Sequence, residues 1–122
     1  MAGERVLVVD DNPTNAKLLG FVLKKEGYEY RIAADAEIAL EMIPEFQPRL
    51  LLLDLQLPGM DGLTLARHLR AQHKDRSLVI VAVTANAMVG DEQEALASGC
   101  DAFISKPIDT RGLPLRIAEL LR

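Results

Sequence analysis

Apolar and polar positions along this chain come in blocks. Three short runs are continuously apolar: VLVV from Val6 to Val9, LLLL from Leu50 to Leu53 and LVIVAV from Leu78 to Val83. Unbroken runs of this length are what parallel strands need when helices cover both faces, because neither side of the strand meets water. Two weaker segments, YRIAA around Arg31 and AFI from Ala102 to Ile104, are less uniformly apolar or shorter and read as edge strands. Between the runs, capping residues and apolar spacing predict helices. Asn12 suits an N-cap, Pro13 suits the first helical position, and Gly27 ends a stretch carrying Leu18, Leu19, Val22 and Leu23. A second helix starts at Asp35 and carries Ile38, Leu40 and Ile43, and Pro44 is expected to end or kink it by removing a donor from the ladder. A third follows Asp61 and Gly62 with Leu63, Ala66, Leu69 and Arg70. A fourth runs from about Gly90 to Ser98, and a fifth closes the chain, with Gly112 and Pro114 blurring its start.

Strand then helix, five times over, with no internal repeat, low-complexity segment or linker, predicts a single three-layer α/β domain over residues 1–122 with no output domain. Right-handed crossovers place helices on both faces. With the weaker strands at the edges, the parallel sheet takes the order 2-1-3-4-5, and its topological switch falls between strands one and three.

Composition narrows the picture mainly by exclusion. A chain of 122 residues, 49% hydrophobic and 26% charged, is one ordinary folded domain rather than a disordered or fibrous segment. Fourteen Lys and Arg against 18 Asp and Glu give a net charge of -4, with no long run of either sign, so direct nucleic-acid binding is not expected. The single cysteine, Cys100, makes neither an internal disulfide nor a cysteine-based metal site, which suits a cytoplasmic location. Apolar runs fall far short of a membrane span and the opening MAGER lacks a signal-peptide core, so no membrane insertion is expected.

Ligands in open α/β sheets bind beyond the carboxyl ends of strands next to a switch point, and there the chain is polar. Strand one ends in Asp10 and Asp11, strand three in Asp54 and strand four in Thr84, while Ser105, Lys106 and Pro107 follow strand five. An aspartate after a buried strand is commonly only a cap or turn residue. Asn12, however, is already available to cap the first helix, and the helix after Asp54 begins only beyond LPGMDG. Carboxylates converging from adjacent strands repel by about 4 kcal/mol per pair at 4 Å and an effective dielectric near 20. A hard divalent cation relieves that repulsion, and few carboxylates with a carbonyl, waters and a phosphate oxygen fit Mg²⁺ better than Ca²⁺.

The segments VLVVDDNPTNAKLL, LLLLDLQLPGMDG, VAVTANAM and DAFISKPID, in that order and spacing, resemble the receiver domain of two-component response regulators over essentially the whole chain. The NPTN and TANAM segments are similar to stand-alone receivers and to those of hybrid histidine kinases. The resemblance implies a flavodoxin-like (βα)5 receiver fold and a phosphorelay role. By this resemblance, Asp54 is the phosphoacceptor for a histidine kinase or histidine phosphotransfer protein. Asp11, Asp54 and the Gln56 backbone carbonyl hold Mg²⁺, or Mn²⁺ in its place, and Asp10 acts through a coordinated water. Thr84 and Lys106 contact phosphoryl oxygens, and Pro107 follows a cis peptide bond. Phe103 stands where the family has a switching aromatic, more often Tyr, although a core Phe on a buried strand reads equally well. The face of helix four, strand five and helix five is expected to meet a downstream protein effector. Cys100 reads as a small packed residue, and His68 and His73 as surface residues away from the acidic end.

Two other functions compete. A phosphate-independent interaction module would keep the fold, yet every site position holds a competent residue type. A small phosphohydrolase of the haloacid-dehalogenase kind would want its acidic pair separated by one residue, whereas Asp10 and Asp11 are adjacent. A flavin or nucleotide binder is disfavoured because no P-loop or G-x-G-x-x-G turn follows the first strand.

Overall fold

The structure is a computed structural model, and it describes residues 4–57, 62–72, 78–84, 91–105 and 110–121. Strands β1 (Arg5–Val9), β2 (Glu29–Ala33), β3 (Leu50–Asp54), β4 (Val79–Thr84) and β5 (Ala102–Ser105) alternate with helices α1 (Pro13–Lys25), α2 (Ala36–Phe46), α3 (Gly62–Gln72), α4 (Asp91–Ala97) and α5 (Leu113–Leu120). All strand pairs are parallel, in the order β2-β1-β3-β4-β5. The expected fold class and edge strands are therefore found.

Period-two alternation divides the core between the two sheet faces. Leu7, Val9, Leu51, Leu53, Ile80 and Ala82 point to the side covered by α2, α3 and α4. Val6, Val8, Leu50, Leu52, Val81 and Val83 point to the side covered by α1 and α5. All four leucines of β3 are at most 1% exposed, so truncating any of them to Ala should cost about 2–5 kcal/mol.

Local signals fix the helix ends. The Asn12 side chain accepts from the amides of Thr14 and Asn15 at 2.9 and 3.2 Å, satisfying two donors that a first turn leaves open. At the other end of α1, Gly27 adopts φ 87, and the amides of Gly27 and Tyr28 bond to the carbonyls of Lys24 and Leu23. That pair of bonds is a Schellman stop, and Tyr28 and Leu23 bury their side chains in the same cluster. Asp35 caps α2 through Ile38 N at 2.8 Å.

One expectation changes. Pro44 does not end α2, which runs on to Phe46. The proline sits in the last turn, so little ladder remains beyond the donor it lacks, and Gln47 in the left-handed region closes the helix with its amide on Ile43 O at 2.8 Å. Ile38 is 39% exposed, because α2 turns Ala36, Ala39, Ile43 and Phe46 to the sheet. Leu18 is likewise 43% exposed, and Ala16 and Gly20 take inward positions on α1.

Candidate functional site at the carboxyl end of the sheet

Asp10 follows β1 and extends its ladder, with its amide on Ala33 O at 3.0 Å. Its Oδ1 accepts from Asn12 N at 2.8 Å, so the chain turns back on the carboxylate and exposes Asp11 beside it. Asp54 is the last residue of β3. Its Oδ1 accepts from Gln56 N at 2.9 Å, the same two-residue turn as at Asp10. Asp10 and Asp54 are 3% and 4% exposed, and one carboxylate oxygen from each of Asp10, Asp11 and Asp54 lies within 4.8 Å of the others.

Thr84, 3% exposed, ends β4 one residue past Val83, the register partner of Asp54. Its own partner across to β5 is the exposed Ser105. The three carboxylates and the hydroxyl thus come from β1, β3 and β4, at and beside the switch point. Lys106 and Pro107 lie outside the described residues, as do Ala85 and Asn86, which follow Thr84 in the chain. Phe103 is half-buried on β5 against the cluster under α2, α3 and α4. His68 is exposed on α3, and His73 lies outside the described residues.

Gly62 plays a part that the sequence reading treated only as a helix start. A Cβ there would lie 2.6 Å from Leu55 Cα and 2.8 Å from the Asp54 carbonyl oxygen. The absent side chain lets the first turn of α3 press against the backbone that carries Asp54. A glycine at the first helical position, where Pro or Asp is more usual, was the available signal.

The chemistry follows from these positions. Two buried carboxylates 4.8 Å apart or closer repel by about 3–4 kcal/mol at an effective dielectric near 20. An oxygen-only donor set of this kind, partly buried and open at Asp11, fits a hard divalent cation. An acidic cluster able to hold a metal ion is therefore present where the sequence predicted it.

An open parallel sheet with a cation-ready acidic cluster at its switch point defines an α/β domain of the flavodoxin-like class. A family model described as the response regulator receiver domain matches residues 6–118. The DNA-binding response regulator MtrA of Mycolicibacterium smegmatis is 40% identical over 119 residues, which are 98% of this chain and 51% of MtrA. The chain spans about half the length of the curated relatives that it matches first. A CheY-like receiver domain protein from Methanospirillum hungatei superposes with a TM-score of 0.90 at 32% identity, over 98% of this chain and 94% of that one. A similar match, at TM-score 0.89 and 31% identity over 98% and 89%, comes from the co-crystal structure of the Saccharomyces cerevisiae phosphotransfer protein Ypd1 with the receiver domain of Ssk1. The chain belongs to the response regulator receiver domains of two-component systems. Among the described residues, no helix is long and apolar enough to cross a membrane.

Proposed function

We propose that this chain is a phosphoacceptor switch in which Asp54 takes a phosphoryl group from a phosphohistidine on a histidine kinase or phosphotransfer protein. The observation that carries this reading is the buried Asp54 carboxylate, converging with Asp10 and Asp11 at the end of a central strand in a chain of the receiver family. One Asp54 oxygen forms a bond to phosphorus while the phosphorus–nitrogen bond breaks, and the electron pair leaves on the imidazole nitrogen. The product is an acyl phosphate. Water attacking phosphorus later restores the carboxylate and releases inorganic phosphate, which suits a reversible signal.

Little covalent help is needed in such a transfer, so positioning and charge carry the rate. The Gln56 amide on Asp54 Oδ1 fixes the plane of the nucleophile. The Asn12 amide does the same for Asp10. The Thr84 hydroxyl is read as a donor to one phosphoryl oxygen and the Lys106 ammonium as the partner of another. Mg²⁺, or Mn²⁺ in its place, would be held by Asp11, Asp54 and the Gln56 carbonyl, with Asp10 through water, and would supply positive charge to the phosphoryl oxygens.

The output surface in this reading is the face of α4, β5 and α5. Leu96 on α4 is 44% exposed and Leu115 on α5 is 70% exposed, so each of the two helices has apolar surface to offer a protein effector. A net charge of -4 with no basic run supports a domain that does not itself touch nucleic acid, although MtrA is named as DNA-binding. Phosphohistidine donors and a free buried cysteine fit a cytoplasmic setting.

The test is intact-mass analysis after incubation with a small-molecule phosphodonor. One phosphoryl adduct should form with Mg²⁺ present, and chelator or Asp54→Asn should remove nearly all of it. Full labelling of Asp54→Asn would sink the assignment. Failure of the folded wild type to label, even by a protein donor, would favour a phosphate-independent interaction module.

A further inference from the structure

The opposite end of the sheet carries a second feature, for which the phosphoryl chemistry has no use. A groove of about 880 Å³ opens between α2 and α3 beneath the amino ends of β1, β3 and β4. Its floor is apolar: Leu69 and Leu78 are at most 2% exposed, Ile43 is 7% exposed, and Leu40 packs beside them. Its ionisable groups are basic, beside the neutral Gln47 and Gln72. Arg5, Arg49 and His68 line it, and among the described residues no Asp or Glu does, in a chain with more acids than bases.

The two arginines are placed by the fold. Arg49 N donates to Arg5 O at 2.8 Å, which sets both residues side by side at the starts of adjacent strands. The wall is the end of α2. Gln47, with φ 51, is the one non-glycine in the left-handed region among the described residues, and its carbonyl accepts from Arg5 Nε at 3.2 Å. Pro44 and Pro48 flank that turn and restrict it further, so the Arg5 side chain is held at the rim by a stiff support. The Arg49 guanidinium is already engaged, with Nη1 3.9 Å from Glu4 and Nη2 donating to Leu121 O at 3.4 Å, which leaves Arg5 as the guanidinium offered to the groove.

We infer that this groove is a ligand site for a small organic anion, with a carboxylate or phosphate head on an extended apolar body. Its volume lies within the range of small-molecule pockets, and an apolar floor with a few convergent polar groups is their usual lining. The Arg5 guanidinium suits the head because its planar fork matches carboxylate and phosphate oxygens, while the apolar body covers Leu40, the exposed Pro44 and the edge of Ile43. The site lies beneath the first residues of the strands whose last residues hold the acidic cluster, so an occupant leaves the cluster open and is not repelled by it.

The experiment is a titration of the full isotopically labelled chain with decanoate and, separately, decyl phosphate, followed by amide and arginine side-chain chemical shifts. Saturable shifts should be confined to residues 40–49, 68–72 and the first residues of β1 and β4. Decanamide, which keeps the body and lacks the charge, should bind at least about tenfold more weakly. Arg5→Gln should weaken both anions by about tenfold and leave decanamide unchanged. Should Arg5→Gln prove poorly folded, Arg5→Lys, which keeps the charge and loses the planar fork, should weaken both anions by a smaller factor and leave decanamide unchanged. The relative affinities of the two anions identify the preferred head group. Shifts scattered over the surface, equal affinity for decanamide, or binding of an acidic peptide but of neither alkyl anion would overturn the inference.

Discussion

At the carboxyl ends of the strands, three acids of one sign crowd within 4.8 Å of one another. At the amino ends, charges of opposite sign are matched. Arg70 lies on α3 and binds Asp101 at 2.5 Å, and the same Asp101 oxygen accepts from Ile80 N at 2.8 Å while Arg70 Nε donates to Gly99 O at 2.9 Å. Arg49 faces Glu4, and Arg5 is tied to the Gln47 carbonyl. The amino end pairs most of its charges with its own groups and leaves Arg5 facing the groove, whereas the carboxyl end gathers like charges whose repulsion a cation would relieve. The difference separates charges that hold the fold together from charges that work against it.

The contrast can be broken most severely at the amino end. Asp101→Asn removes the charge from a pair whose side chains are only 15% and 14% exposed, and should lower unfolding free energy by about 3 kcal/mol in urea titrations. Cys100 tests the same corner chemically. Burial first, then the neighbouring Asp101, pushes its thiol up to about 11, against partial relief from Arg70. The folded chain therefore keeps its thiol proton where the unfolded chain loses it, and this group's contribution to stability declines as pH rises from the ordinary value of 9.0 toward about 11. At pH 8, alkylation of the native thiol should be at least about a hundredfold slower than in urea, since a two-unit rise lowers the thiolate fraction by that factor.

Smaller effects sharpen the other side of the comparison. Mg²⁺ at about ten times its dissociation constant should stabilise the wild type by about 1.4 kcal/mol, visible as a rise in Tm that Asp11→Asn largely removes. Without metal, Asp11→Asn should itself be slightly more stable than the wild type, by about 0.5–1 kcal/mol, because an exposed like charge beside two buried ones has gone. A neutral or destabilising result in metal-free thermal melts would show that the acidic cluster carries no net repulsion.

The fold was legible because burial on both sides of a strand leaves a continuous apolar run, and VLVV, LLLL and LVIVAV follow that rule. The carboxylate cluster was legible because a strand's end fixes where the next residue projects, so Asp10, Asp11 and Asp54 could be placed together from strand order alone. Helix rotation was harder to read. Ile38 and Leu18 are apolar yet half exposed, while Ala36, Ala39, Ile43 and Phe46 of α2 and Ala16, Leu19, Val22 and Leu23 of α1 face the sheet, so apolar character alone did not tell which side faced in. The Arg70–Asp101 pair joins residues 31 apart in the chain, and the arginine groove joins α2, α3 and three strand starts. No local periodicity encodes contacts of that kind.

The parity of β5 also determines which half of the molecule registers a change there. Phe103 belongs to the layer beneath α2, α3 and α4, whereas Ile104, one residue later, belongs to the layer beneath α1 and α5. The sheet acts as a partition between two rooms, and odd or even position in the strand decides on which side a side chain is heard. Inserting one residue at the start of β5 would exchange the two addresses while keeping every backbone bond of the strand available. A disturbance at Phe103 would then reach α1 and α5 in place of its present neighbours, with the acidic cluster itself untouched.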